Sequence, residues 1–87
     1  MTLDDLRAEL TKLDHLPGDT IVVMSKDGEG NGFSPLAQVE DAMYRAETTW
    51  SGEHYLTEEQ VAADPEYGED DLAPDDAVPA VFLWPTN

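Results

Sequence analysis

Val78-Pro79-Ala80-Val81-Phe82-Leu83-Trp84-Pro85 is the last apolar run of this 87-residue chain, and no position in it carries a charge. It reads as a β-strand between two prolines, with Ala80, Phe82 and Trp84 on one face and Val81 and Leu83 on the other, so both faces call for cover. At the other end of the chain, Thr2 and Asp5 have capping-box spacing, and Leu3, Leu6, Leu10 and Leu13 recur at three- and four-residue steps. This predicts an amphipathic helix that ends near Asp14, ahead of the turn Pro17-Gly18-Asp19. One helix covers one face of a sheet. The other face is left to a short second helix, to the aromatic loop around Trp50 and Tyr55, or to a second copy of the chain. The pattern predicts an α+β fold: an N-terminal amphipathic helix packed on a small, mainly antiparallel sheet, with a short second helix and an acidic loop. The length suits a single domain over residues 1–87.

Between these ends, Thr20-Ile21-Val22-Val23-Met24-Ser25 is apolar on both alternating faces and reads as an inner strand. A glycine-rich loop follows at 27–32. Residues 36–47 have strand character, with a turn expected at Glu40-Asp41 and a second strand over 43–47; Trp50-Ser51-Gly52 breaks the chain again. Thr57 and Gln60 repeat the capping-box spacing and predict a helix over 58–63, stopped before Asp64-Pro65. Residues 66–76 hold six acids, a glycine and a proline, and read as a solvated loop. Phe33, Tyr44, Trp50 and Tyr55 lie near turns, where they are expected to plug the thin core rather than line a binding surface.

The charge is lopsided. Twenty acids face four Lys or Arg, a net −16; residues 1–45 contribute −5, and residues 46–87, with eleven acids and no Lys or Arg, contribute −11. Such self-repulsion does not stabilise a fold, so partners, ions or solvent must account for it. Nucleic-acid phosphates and anionic lipid heads would repel the surface, which disfavours nucleic acid and membrane and favours a basic protein or a cation. The absence of cysteine excludes disulfides and thiolate chemistry. The acidic start and the lack of a long apolar run argue against a signal peptide and a membrane span.

Asp27-Gly28-Glu29-Gly30-Asn31-Gly32 places oxygen-bearing side chains at alternate positions and a glycine sixth, as at the start of a calcium loop. Asp27, Glu29 and Asn31 are therefore candidate calcium ligands. The match then lapses at Pro35 and Gln38, and a loop needing left-handed angles explains the same residues. A phosphate loop is excluded because Phe33 stands where the third glycine belongs. His15 and His54 lack metal-ligand spacing, and Ser34 and Ser51 lack a nucleophile's context, so no catalytic residue is assigned.

The strings Lys26-Asp27-Gly28-Glu29-Gly30-Asn31-Gly32-Phe33-Ser34-Pro35-Leu36, Glu47-Thr48-Thr49-Trp50-Ser51-Gly52-Glu53 and Ala77-Val78-Pro79-Ala80-Val81-Phe82-Leu83-Trp84-Pro85 together resemble a family of small acidic proteins encoded by tailed bacteriophages, chiefly of actinobacteria. The resemblance implies a phage or prophage origin and action in the cytoplasm of the infected bacterium, and brings no assigned activity. Residues and resemblance together point to a non-enzymatic accessory protein that binds a basic host or phage protein through its acidic C-terminal half. DNA mimicry or inhibition of a host defence is the narrower form of this reading. The candidate contacts are Glu53, Glu58, Glu59, Asp64, Glu66, Glu69, Asp70, Asp71, Asp75 and Asp76. The alternatives are a structural protein that self-associates, as a homodimer, through the strand at 78–84, and a cation-binding module on the loop at 27–31.

Overall fold

A computed structural model describes residues 1–87. The elements run α1 (Leu3–Thr11), β1 (Val23–Ser25), β2 (Phe33–Ala46), β3 (Gly52–Tyr55), α2 (Glu58–Ala63), a 3-10 turn at Glu69–Asp71, and β4 (Val78–Pro85). The fold is α+β, with a four-stranded sheet in which β1 and β3 pair antiparallel with β2, and β4 also pairs with β2.

Both helices start where the capping boxes place them. The Thr2 hydroxyl accepts from the Asp5 amide at 3.2 Å and the Asp5 carboxylate accepts from the Thr2 amide at 2.9 Å. Thr57 and Gln60 make the same exchange at 3.1 and 2.8 Å. Each box satisfies amide donors that a helix start leaves without partners. From Lys12 to Leu16 the chain continues in tight turns, which ends α1 short of Pro17. Leu3, Leu10 and Leu13 keep about half of their surface exposed.

The structure corrects two strand assignments. Residues 20–25 do not form an inner strand: only Val23–Ser25 pair, at the end of the sheet order, and Ile21 and Val22 are 75% and 60% exposed. No turn interrupts residues 36–47, because β2 runs unbroken from Phe33 to Ala46. Glu40 and Asp41 are satisfied inside the strand: His54 Nε2 lies 2.6 Å from the Glu40 carboxylate, and Gln60 Nε2 donates to the Asp41 carbonyl at 3.1 Å. Nor do the aromatic residues near turns all plug the core, since Trp50 is 85% and Phe33 63% exposed, while Tyr44 and Tyr55 are half-buried.

Period-two alternation gives β2 two unlike faces. On one face Ser34 and Ala42 are buried and Leu36, Glu40 and Tyr44 half-buried, with Gln38 exposed; on the other Phe33, Pro35, Ala37, Val39, Asp41 and Arg45 are exposed and Met43 half-buried. Phe82 shares the covered face, with its ring edge-on to those of Tyr44 and His54 at centroid separations of 6.2 and 4.6 Å. Val81 and Leu83 therefore point to the open face, where each keeps about two-fifths of its surface in solvent. Ala80 and Phe82 are half-buried, but Trp84, on their face by alternation, is also 40% exposed, so neither face of the strand at 78–84 is fully covered, against the expectation of cover on both.

The chain divides into two compact units. One comprises residues 1–38 and 83–87, the other residues 39–82, and β2 and β4 each contribute to both. In the first, the buried Ser34 hydroxyl donates to Asn87 Oδ1 at 3.0 Å and lies 2.8 Å from Thr86 Oγ1. In the second, Ala42 and Val61 are the buried apolar residues.

Candidate functional site

All ten candidate acids lie in the second unit. That unit holds thirteen Asp or Glu and one Arg, a net −12, while the first holds seven acids and three bases, a net −4. Glu53 sits on β3, Glu58 and Glu59 in the first turn of α2, Asp64 at its C-cap, Glu69, Asp70 and Asp71 in the 3-10 turn, and Asp75 and Asp76 in the turn before β4. Nine of the ten are exposed and Asp64 is half-buried.

Several of these acids serve the local backbone. The Asp64 carboxylate accepts from the Glu66 amide at 2.9 Å, and that of Asp71 from the Gly68 amide at 2.8 Å. Asp76 accepts from Arg45 Nε at 3.2 Å, and this carboxylate raises the Arg45 pKa. Glu53 accepts from the Tyr55 hydroxyl at 2.7 Å; that bond is the main cause holding the Glu53 carboxyl below its ordinary range, and it pushes the Tyr55 phenol up.

Glu58 and Asp75 belong to a different arrangement. They share a cavity of about 390 Å³ whose remaining lining is Met43, Leu56, Leu72, Ala73, Pro74 and Ala77. A parallel bridge between Leu56 and Leu72 draws the acidic segment against the end of β3, and Ala73 and Pro74 are half-buried. Residues 66–76 are thus not a wholly solvated loop; the apolar residues interspersed with the acids anchor the segment. An apolar lining with two carboxylates matches a lysine or arginine side chain, which lays its methylenes on apolar surface and carries its charge at the tip. The cavity was not legible as such in the sequence, although Leu72, Ala73, Pro74 and Ala77 among the acids are its trace.

In the glycine-rich loop, the Asp27 carboxylate accepts from the amides of Glu29 and Asn31 at 2.9 and 3.1 Å and from Asn31 Nδ2 at 3.1 Å, and Asn31 Nδ2 also donates to Glu29 at 3.3 Å. The Asn31 amide is the chief cause of a lowered Asp27 pKa. Gly30 takes the left-handed angle φ 74°, as a loop of this composition requires. No group of three or more His, Asp or Glu side chains gathers to hold a metal ion. His54, which the sequence gives no metal-ligand spacing, is half-buried between Glu40 and Phe82. No helix is long and apolar enough to cross a membrane. Comparisons of the chain with protein-family models, curated proteins and solved structures found no match.

Proposed function

We propose that this chain is a non-enzymatic accessory protein of phage origin that binds a basic segment of a host or phage protein, in the cytoplasm of the infected cell, through residues 53–77. The observation that carries the reading is the apolar cavity with Glu58 and Asp75 in its lining. It takes one Lys or Arg side chain of the partner, while the surrounding −12 unit steers the approach. DNA mimicry is the narrower form, in which the captured segment is one that ordinarily meets phosphates.

Binding of a lysine-rich peptide, followed by calorimetry, separates the cavity from bulk charge. Glu58→Gln with Asp75→Asn removes two charges at the cavity, and Glu66→Gln with Glu69→Gln removes two elsewhere. The first pair is expected to weaken binding about tenfold more than the second, because it also leaves the bound cation without its hydrogen-bonding carboxylates. Equal losses would show that only net charge matters. Affinity capture from infected cells at low and high salt then identifies the partner, whose retention should fall steeply with salt.

A further inference from the structure

The turn between β2 and β3 carries Trp50, which is 85% exposed. Apolar residues standing singly on a surface are ordinary, so exposure alone assigns nothing. What sets Trp50 apart is how its turn is held. The Thr48 hydroxyl accepts from the amides of Trp50 and Ser51 at 3.2 and 3.0 Å and lies 2.8 Å from the Ser51 hydroxyl, while the Ser51 carbonyl accepts from the amides of Glu47 and Thr48 at 2.9 and 3.0 Å. The ladder below closes with Ala46 opposite Gly52 and Arg45 opposite Glu53. None of these bonds uses the indole. The turn is fixed without it, and a rigid aromatic side chain displayed from ordered backbone gives up little conformational freedom on meeting a partner.

We propose that Trp50 is the contact for an arginine side chain of a basic partner, whose guanidinium stacks on the indole while the carboxylates at the base of the turn meet its charge. Charge complementarity selects this occupant. Glu47 and Glu53 flank the turn and both are exposed. After Tyr55, Glu47 is the next group to bond to the Glu53 carboxyl and hold it below its ordinary range, so the two acids are neighbours. Arg45, the one Lys or Arg of residues 39–82, is already engaged with Asp76 at 3.2 Å. An apolar pocket on a partner would take the indole only by drawing these two carboxylates out of water, which is costly, and an anionic membrane surface would repel them. A guanidinium is attracted by both the ring and the carboxylates. Arginine fits better than lysine, because its planar, weakly hydrated head stacks on an aromatic face. This contact rests on the reading of the chain as a binder of basic segments, but it uses a different element from the cavity of Glu58 and Asp75, so the two are separately testable.

Calorimetry on the full chain with hexa-arginine and hexalysine peptides tests this. Trp50→Leu keeps an apolar side chain without a π face, and Trp50→Phe keeps a smaller π face. The Leu variant is expected to bind hexa-arginine about two- to fivefold more weakly than the parent, the Phe variant to lose less, and the Leu variant's loss on hexalysine to be smaller. Both variants should melt with the parent, since the bonds that hold the turn do not involve the indole. Hexa-arginine should also shift the parent's tryptophan emission, and Trp50→Phe, whose remaining tryptophan is Trp84, should lose that shift. Equal affinity of parent and both variants for hexa-arginine overturns the proposal. So does a Leu variant that binds as tightly as the Phe variant, which would make Trp50 a purely apolar contact. Glu58→Gln with Asp75→Asn, measured beside them, separates the two sites: weakening by that pair with no effect at Trp50 removes this contact and leaves the cavity standing, and the reverse pattern supports this contact alone. Failure of hexa-arginine to bind at low salt overturns both.

Discussion

At Gly52, the first residue of β3, a Cβ would come 2.5 Å from both the Arg45 carbonyl oxygen and the Tyr44 ring end, a distance at which the backbone and not just a flexible side chain must move. Gly52→Ala is therefore expected to destabilise the protein by about 1–3 kcal/mol, seen as a lowered urea midpoint with unchanged slope. Gly18, with nothing within 4 Å of its would-be Cβ, is the control, and its alanine variant should stay within about 0.5 kcal/mol of the parent. Asp27 gives a prediction in pH. Its folded pKa lies below the ordinary 3.8, held down chiefly by the Asn31 amide, so its contribution is fully present above the unfolded value and is lost as pH falls through the folded one. Asp27→Asn keeps the side chain's shape but removes the titration. The stability gap between parent and variant should be widest near pH 6 and shrink on acidification below about pH 4. A gap independent of pH would mean that the loop does not depend on the carboxylate's charge.

The elements show why some of this fold was legible and some not. Helix starts are local: Thr2 with Asp5 and Thr57 with Gln60 close their hydrogen bonds within four residues, and both appear as read. The unbroken β2 is not local. Two adjacent acids, Glu40 and Asp41, look like a turn until His54 and Gln60, fourteen and nineteen residues on, supply their partners. The edge position of β1 was hidden for a related reason, because residues 20–25 are apolar on both sides and apolar composition alone signals burial. The site divides in the same manner: the acids were countable, but the cavity that joins Glu58 to Asp75 needs the Leu56–Leu72 bridge, a contact between segments. Helix α2 supplies Glu58 to that cavity. Its six residues depend on the Thr57 cap, on buried Val61 and on the Gln60 bond to the Asp41 carbonyl. Thr57→Ala should cost about 1 kcal/mol and speed amide exchange within 58–63 beyond that of the strands. If exchange rises equally everywhere, α2 does not open separately.

Across the whole chain, charge and apolar exposure are segregated. Of the seventeen large hydrophobic residues left exposed, eleven lie in the unit of charge −4, while the unit of charge −12 holds the other six. The three Arg or Lys ion pairs, Arg7–Asp4, Lys12–Glu9 and Arg45–Asp76, are all solvent-exposed, and such pairs contribute little to stability. Repulsion among twenty carboxylates therefore outweighs the attraction available from four cations, and salt should stabilise this protein rather than weaken it. The measurement is the melting temperature between about 20 and 500 mM sodium chloride, at a concentration low enough that association does not contribute. A rise is expected, and choline chloride at equal ionic strength should reproduce it, since screening does not depend on the cation's identity. A falling melting temperature would mean that the three pairs outweigh the repulsion. Calcium chloride at matched ionic strength adds a separate comparison: an increment beyond sodium that Asp27→Asn abolishes would place a cation in the loop at 27–31. Equal curves for sodium, choline and calcium would leave the carboxylates acting only as a diffuse field, the state in which a basic partner gains most by neutralising them.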